Sequence, residues 1–321
     1  MSQPMTAATP RYVAERLSAD FGLYLSCQAT LAQQQSEWQH IEVFDNPQFG
    51  RVMRIDGVFM TSERDEFFYH EPMVHLPAIA HQGIRRALVV GGGDGGAAEE
   101  LLKLPGIERV VLAELDGAVV AMARQWLGAI HRGAFDDPRL ELRLGDARLL
   151  LGQTEERFDQ IVLDLTDPFG PAVELYTVQF YQACRRALRP GGVLSLHLGS
   201  PVHLPQSLQR IAASVRAVFP VFRPYLQYVP LYGTLWCMAM ASDSTDPALL
   251  DPAEVDARIA ARGIGDLQLY NGAMHQALLA QPNFLRQLLA QPAQPLHSGD
   301  SIDEVRDPAQ LPSITVLAGP D

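Results

Sequence analysis

Ala87-Leu-Val-Val-Gly91-Gly-Gly-Asp94-Gly-Gly96-Ala-Ala-Glu-Glu100 is the stretch that decides the fold. Four apolar residues rich in valine read as a buried strand, six residues later the chain resumes in a helix-forming run, and the turn between is almost all glycine. Glycines at 91, 93 and 96 satisfy a G-x-G-x-x-G pattern in the setting it requires, a strand before and a helix after. Such a turn lets backbone approach a nucleotide-like ligand where any Cβ would stand in the way. The pattern does not choose between a dinucleotide and an adenosyl-sulfonium ligand.

Working outward, the same rhythm continues. Short apolar or β-branched runs at Val110–Ala113, Leu140–Leu144, Gln160–Asp164 and Val193–His197 alternate with helical stretches, which predicts βαβ units and a mainly parallel sheet. Leu235–Ala241 adds a late strand, and Asp251–Ala290 reads as helical. Upstream, residues 21–62 alternate polar and apolar positions, punctuated by Asp45-Asn46-Pro47 and Asp56-Gly57, as antiparallel hairpins do. Ser62 to His81 then reads as a helix with Ser62 as its N-cap and Asp65 three residues on. The expected organisation is a small antiparallel β-hairpin domain over 1–80, a Rossmann-like α/β domain of the methyltransferase type over 81–290, and a Pro-rich tail over 291–321 that is irregular or loosely attached.

Composition narrows the function. The chain has 321 residues, 47% hydrophobic and 19% charged, enough for a full core. Lys and Arg total 25 against 37 Asp and Glu, a net charge of −12. That balance disfavours nucleic acid, whose phosphates need clustered cations, and favours small cationic ligands. No apolar run approaches a membrane span and the first residues lack a signal-peptide core, so a cytoplasmic protein without a membrane partner is expected. Cys27, Cys184 and Cys237 are far apart and form no ligand spacing; buried thiols are expected, and no metal site.

Acids at successive strand ends sharpen the ligand. Glu114 closes the second strand of the α/β unit, where a carboxylate can accept from both ribose hydroxyls. Asp146, in Leu144-Gly-Asp-Ala147, is suited to an adenine amino group. A single strand-end acid is often merely solvated, but ligands of open α/β sheets bind outside the carboxyl ends of strands, and here the acids fall there in series. Asp164 and Asp167, in Asp164-Leu-Thr-Asp-Pro-Phe-Gly-Pro171, put two carboxylates three residues apart on a stiffened turn, fit for a cationic or proton-accepting task. Asp94 inside the glycine loop would repel the carboxylate of a methionine moiety and attract a bare ammonium, a preference worth roughly 1.5–3 kcal/mol for one charge-assisted hydrogen bond.

Taken together, Ile55-Asp-Gly-Val58, Thr61-Ser-Glu-Arg-Asp-Glu-Phe67 with Tyr69-His-Glu71, the glycine loop, the Asp164–Pro171 run, and Tyr270-Asn271 with His275 resemble the polyamine aminopropyltransferase family, to which the spermidine synthases belong. The resemblance runs from about Gln39 to about Leu285. It implies transfer of an aminopropyl group from decarboxylated S-adenosylmethionine, a co-substrate rather than a tightly bound cofactor, to putrescine. It further implies that Gln39, Glu114, Asp146, Ala147 and Pro171 contact the methylthioadenosine part and Asp94 the aminopropyl ammonium. Tyr69, His70 and Asp167 resemble polyamine contacts, Tyr232 a further substrate-site tyrosine, and Asp164 the proton acceptor. A homodimer or homotetramer is implied.

Some positions depart from the family pattern. The acid common after Gly-Pro-Ala stands one place later, at Glu174 behind Val173; an Arg usual after the glycine loop is replaced by Glu99; and His197 and Gly199 stand at the end of the fifth strand, His197 where Gln is frequent. These changes are expected mostly on the amine side, which leaves cadaverine, agmatine or a longer polyamine open as acceptor. An amine N-methyltransferase using S-adenosylmethionine, a non-catalytic polyamine- or nucleoside-binding homologue, and an NAD-dependent oxidoreductase are the rival readings. The Asp94 loop opposes the first, retention of both Asp164 and Asp167 the second, and the lack of a hydride-site constellation the third.

Overall fold

The computed structural model describes residues 11–17 and 21–302. The chain opens with an antiparallel pair, β1 (Arg11–Arg16) and β2 (Gly22–Cys27). A four-stranded antiparallel meander follows: β3 (Ala29–Gln35), β4 (His40–Asn46), β5 (Gly50–Ile55) and β6 (Val58–Ser62). The β5–β6 hairpin turns on two residues, Asp56 and Gly57, both at positive φ (48° and 85°), the geometry that an Asp-Gly pair supplies.

The sequence pattern predicts a helix opening on Ser62, but α1 spans Phe67–Ala80, with Glu66 at its N-cap and no side-chain cap. Ser62 stays paired to Val52 in the last rung of β6, and its hydroxyl is spent on Asp65, whose other oxygen accepts from the Leu231 amide. Helix α1 is buried along most of its length. Grouped with the N-terminal unit on sequence grounds, it packs against the large sheet that follows it.

That sheet has seven strands in the order β12-β13-β11-β10-β7-β8-β9. Strands β7 (Arg86–Gly91), β8 (Arg109–Glu114), β9 (Leu140–Leu144), β10 (Phe158–Asp164) and β11 (Leu188–Gly199) are parallel, whereas β12 (Val221–Val229) and β13 (Thr234–Ser242) close it as an antiparallel pair. The sequence pattern does not announce β12, because Pro224 interrupts it. As the edge strand, β12 tolerates a residue with no N–H to donate. Between and after the strands come α2 (Gly96–Leu102), α3 (Gly117–Trp126), α4 (Gly128–His131), α5 (Ala147–Gln153), α6 (Val178–Ala187) and α7 (Pro205–Arg216). The run expected to be helical over 251–290 is three helices, α8 (Pro252–Arg262), α9 (Gly272–Leu279) and α10 (Asn283–Ala290). No helix among the described residues is long and apolar enough to cross a membrane.

Progress along the sheet runs from β7 outward through β8 to β9, then returns to the other side of β7 for β10 and β11. The carboxyl ends of β7 and β10 therefore lie side by side at the switch point, Asp164 directly opposite Gly91.

Residues 291–302 form no helix or strand, yet they are not loosely held. Leu296 and Ile302 are buried, the Leu296 amide donates to Ser214 Oγ (2.7 Å), and its carbonyl accepts from the Val178 amide (2.8 Å). Two buried apolar residues together with these backbone hydrogen bonds anchor the segment. The rest of the expected tail lies outside the described residues.

One buried carboxylate locks α1 to the late part of the chain. Glu71 accepts from the backbone amides of Gln268, Leu269 and Tyr270 at 2.6, 2.9 and 2.7 Å and is fully buried. Glu71→Ala strands those donors, and urea unfolding should show a loss of about 3 kcal/mol or more; Glu71→Gln, which keeps one acceptor oxygen, should lose less.

Candidate active site

The glycine loop is glycine chiefly because the site's own residues crowd it. Gly91 has φ 77°, and a Cβ there would come within 2.2 Å of the Asp164 carbonyl oxygen. At Gly96 a Cβ would strike the His70 ring, also at 2.2 Å. The tight turn thus brings β7, β10 and α1 into contact, and the Gly92 amide seals it by donating to the Asp164 carbonyl (2.9 Å).

Beside the loop lies a cavity of about 400 Å³. Gln39, Tyr69, His70, Asp94, Glu114, Asp146, Ala147, Asp164 and Tyr232 all line it. Asp167 is not among the lining residues, though its neighbours Thr166 and Phe169 are; its Oδ1 is buried and without a partner among the described residues. Pro171 belongs to the 3-10 turn Gly170–Tyr176, and its side chain lies outside what is described.

At one end of the cavity stand Gln39, Glu114, Asp146 and Ala147. Glu114 ends β8, accepts from the Asp116 amide (2.9 Å), and is pushed up to about 7 by burial, against that hydrogen bond. Asp146 caps α5 through the Arg148 amide and pairs with the Arg148 guanidinium (2.6 Å), whose hydrogen bonds hold its carboxyl below the usual range. Gln39 donates to Asp116 Oδ2 (3.0 Å), which also accepts from Ser36 Oγ (2.6 Å). Asp116 thereby ties the antiparallel sheet to the start of α3. Asp116 was missed in the sequence; the available signal, an acid two places past Glu114 and just before a helix, marks a cap, which it also is through the Ala118 amide, and does not mark a strut.

The other end is a cluster of charge. His70 Nδ1 bonds Glu66 Oε2 at 2.9 Å, and its Nε2 lies 3.7 Å from Asp94 Oδ2 and 3.8 Å from Asp164 Oδ2. Asp94 is itself fixed, Oδ1 accepting from the Gly96 amide (3.0 Å). Burial opposes a charge on His70, but Asp94, Glu66 and Asp164 outweigh it and raise its pKa to about 10. Burial raises Asp164 to about 6, helped by Asp94 and resisted by His70 and the Tyr69 hydroxyl. Burial alone raises Asp167 to about 6. Donor atoms of His70, Asp94 and Asp164 lie within 4.8 Å of one another. The two carboxylates offer acceptor oxygens to which an ammonium can donate. Tyr69 and Tyr232 wall this end with rings 6.2 Å apart and nearly perpendicular, the Tyr232 hydroxyl donating to the Met60 carbonyl (2.7 Å).

The departures expected on the amine side do not reach the cavity: Glu99, Val173, Glu174, His197 and Gly199 are all absent from its walls. Glu174 accepts from Ser298 Oγ and the Gly299 amide, both at 2.8 Å, and so anchors the C-terminal segment. His197 is buried and neutral, its pKa lowered to about 4 by burial. It sits behind the Asp164–Asp167 turn, where its Nε2 holds the Leu165 carbonyl (2.9 Å) and meets the Tyr176 hydroxyl (2.9 Å), which donates to the Thr166 carbonyl (2.7 Å). Nothing local in the sequence marks Tyr176 for that task.

The raised carboxyls set a pH dependence. A carboxyl holds a cation well only when ionised, so the affinity of the cavity for a diamine should fall as pH drops below about 6, with a slope approaching two protons if both carboxyls contribute. Asp167→Asn should then flatten that slope to one proton; calorimetric titration with putrescine from pH 5 to 7 reads it directly. On stability the sign is reversed. The folded chain binds these protons more tightly than the unfolded one, so this contribution is complete below the ordinary 3.8 and is lost as pH rises through about 6.

Residues 66–250 match the family model described as the spermine/spermidine synthase domain, and residues 12–63 match the spermidine synthase tetramerisation domain. A polyamine aminopropyltransferase of Nitrosomonas europaea is 60% identical over 307 residues, 95% of this chain and 94% of that protein. Polyamine aminopropyltransferase 1 of Pseudomonas aeruginosa is 38% identical over 276 residues, 86% of this chain and 96% of its own length. A crystal structure of spermidine synthase in complex with the transition-state analogue AdoDATO aligns with a TM-score of 0.82 at 34% identity, covering 89% of this chain and 98% of that one.

Proposed function

This chain belongs to the spermine/spermidine synthase family and is a polyamine aminopropyltransferase, and on that premise we propose that it carries the aminopropyl group of decarboxylated S-adenosylmethionine to putrescine, leaving spermidine and methylthioadenosine. The observation that carries the reading is the close set of Asp94, Asp164 and protonated His70 at one end of a cavity whose other end offers Glu114 and Asp146. A cavity of about 400 Å³ is in the range that takes a nucleoside with a short chain.

In this reading Gln39, Glu114, Asp146, Ala147 and Pro171 bind the methylthioadenosine part, and Asp94 takes the ammonium of the aminopropyl arm. Tyr69, His70, Asp167 and Tyr232 hold the diamine. The amine nitrogen attacks the propyl carbon next to sulfur, the carbon–sulfur bond breaks with its electron pair going to sulfur, and the ammonium proton passes to Asp164. Base strength is only part of the task. An alkyl ammonium of pKa about 10 lies roughly six units above an ordinary Asp, a gap of about 8 kcal/mol, and the rise of Asp164 to about 6 closes only part of it. Holding nucleophile and sulfonium together must supply much of the remainder.

Asp94 carries the choice of cofactor. Asp94→Asn should weaken decarboxylated S-adenosylmethionine at least tenfold relative to S-adenosylmethionine, read as the ratio of dissociation constants, since one charge-assisted bond is worth roughly 1.5–3 kcal/mol. An unchanged ratio would count against this role.

Asp164 carries the chemistry. Asp164→Asn should lower kcat by about 10²–10⁴ while methylthioadenosine still binds within about threefold. Near-normal turnover would sink the assignment. A panel of diamines and polyamines, with the nucleoside product identified, decides the acceptor; S-adenosylhomocysteine as product would point instead to a methyltransferase. The match of residues 12–63 to a tetramerisation domain supports a homodimer or homotetramer.

A further inference from the structure

We propose that Arg132 is a positioning residue for the reaction: its guanidinium joins Glu66 to Glu99 and so fixes the carboxylate that orients His70 between Asp94 and Asp164. The inference rests on the reading of those two aspartates given above.

The geometry is a chain of single contacts. One oxygen of Glu66 bonds His70 Nδ1 (2.9 Å) and the other accepts from Arg132 NH2 (2.9 Å). Arg132 NH1 reaches Glu99 Oε2 (3.1 Å). The Glu66 side chain is 1% exposed, and so deep a carboxylate needs a cation on its outer side. Lys103 serves the neighbouring acids instead, pairing with Glu99 (3.1 Å) and Glu100 (2.8 Å).

The backbone is shaped to deliver this one side chain. Arg132 sits at the end of α4 with φ 40°, a left-handed conformation that non-glycine residues rarely hold. The same turn presses on the glycine loop, since a Cβ at Gly95 would come 2.7 Å from His131 Cβ and 2.9 Å from the Phe135 ring. Arg132 therefore belongs to an element that touches the loop bearing Asp94 while it braces the partner of His70.

One guanidinium spans Glu66 and Glu99, so an Arg placed at 99 could itself reach Glu66 and take over the task.

Without Arg132, one oxygen of the buried Glu66 loses its partner, and the carboxylate that sets the His70 ring is no longer held in place. His70 is faced by Glu66 and Asp65 ahead of α1, by the Tyr69 ring edge-on, and by Asp94 and Asp164. A ring no longer held by Glu66 sits less closely between Asp94 and Asp164 and stabilises the ionised Asp164 less, so the acid limb of the rate profile moves to higher pH.

The experiment compares Arg132→Ala, Glu66→Gln and the double variant Glu99→Arg/Arg132→Ala. It follows the His70 imidazole by nitrogen-15 NMR titration alongside kcat, KM and the acid limb. Arg132→Ala and Glu66→Gln should each lower the His70 titration, raise the acid limb by about half a unit or more, and cut kcat about tenfold, with KM for the nucleoside co-substrate within about twofold. The double variant should restore all three. Unchanged kcat and His70 titration in Arg132→Ala would overturn the proposal, as would a double variant that regains thermal stability but not the His70 titration. If Arg132→Ala does not fold, Glu66→Gln and the double variant decide the same question. A wrong reading of the transfer reaction would show elsewhere, as turnover retained by Asp164→Asn.

Discussion

Everything at the site depends on one close approach, the backbone of Gly91 and Gly92 lying against the end of β10 at Asp164. The two strands pair with Asp164 opposite Gly91, and the Gly92 amide closes the gap on the Asp164 carbonyl. A side chain at 91 could not fit there. Because the topology reverses between these strands, a crevice opens above their ends, and the loop that makes the crevice also carries Asp94 into it. Glycine is thus required by the protein's own packing before any ligand arrives.

The second constraint is charge. Bringing Asp94 and Asp164 together in a largely buried space would be unfavourable if nothing answered them. His70 answers both, from 3.7 and 3.8 Å, and the Tyr69 hydroxyl adds a hydrogen bond to Asp164. Asp167 has a buried oxygen without a partner among the described residues. Such a set is unsatisfied when empty and satisfied by a cationic chain, so the site gains most from the ligand that its electrostatics would select. Burial also lifts Asp164 toward a useful basicity, although the neighbouring cation holds that rise in check.

What could be read in the sequence was whatever has a local signature. Strands β7, β8, β9, β10 and β11 announce themselves as short apolar runs before turns, and the Asp56-Gly57 hairpin follows from its two turn residues. Nine of the expected cavity residues line one pocket because strand ends and loops concentrate there in any open α/β sheet. The start of α1 was misread because Ser62 and Asp65 carry a cap signature but use their polar atoms on each other and on Leu231. Strand β12 hid behind Pro224, and Leu296 looked like part of a loose tail because its partners, Ser214 and Val178, lie far away in sequence. Glu66 was within reach, four residues ahead of His70. Arg132 was not, since 66 positions separate it from the carboxylate it serves.

The positions that depart from the family pattern follow a physical rule. A residue that touches the ligand must present a given atom at a given point, so it can seldom be exchanged. A residue that only supplies charge or a hydrogen bond to such a residue can be replaced by another of the same kind arriving from elsewhere. Glu99 facing Arg132, His197 holding the Leu165 carbonyl, and Glu174 turned outward to Ser298 and Gly299 all lie one layer behind the cavity. At residue 99 the acid is met by Lys103 and by Arg132 from the turn after α4, and the same guanidinium serves Glu66. The charge needed at that point is set by the buried Glu66–His70 pair, while the helix or turn that delivers it is left free.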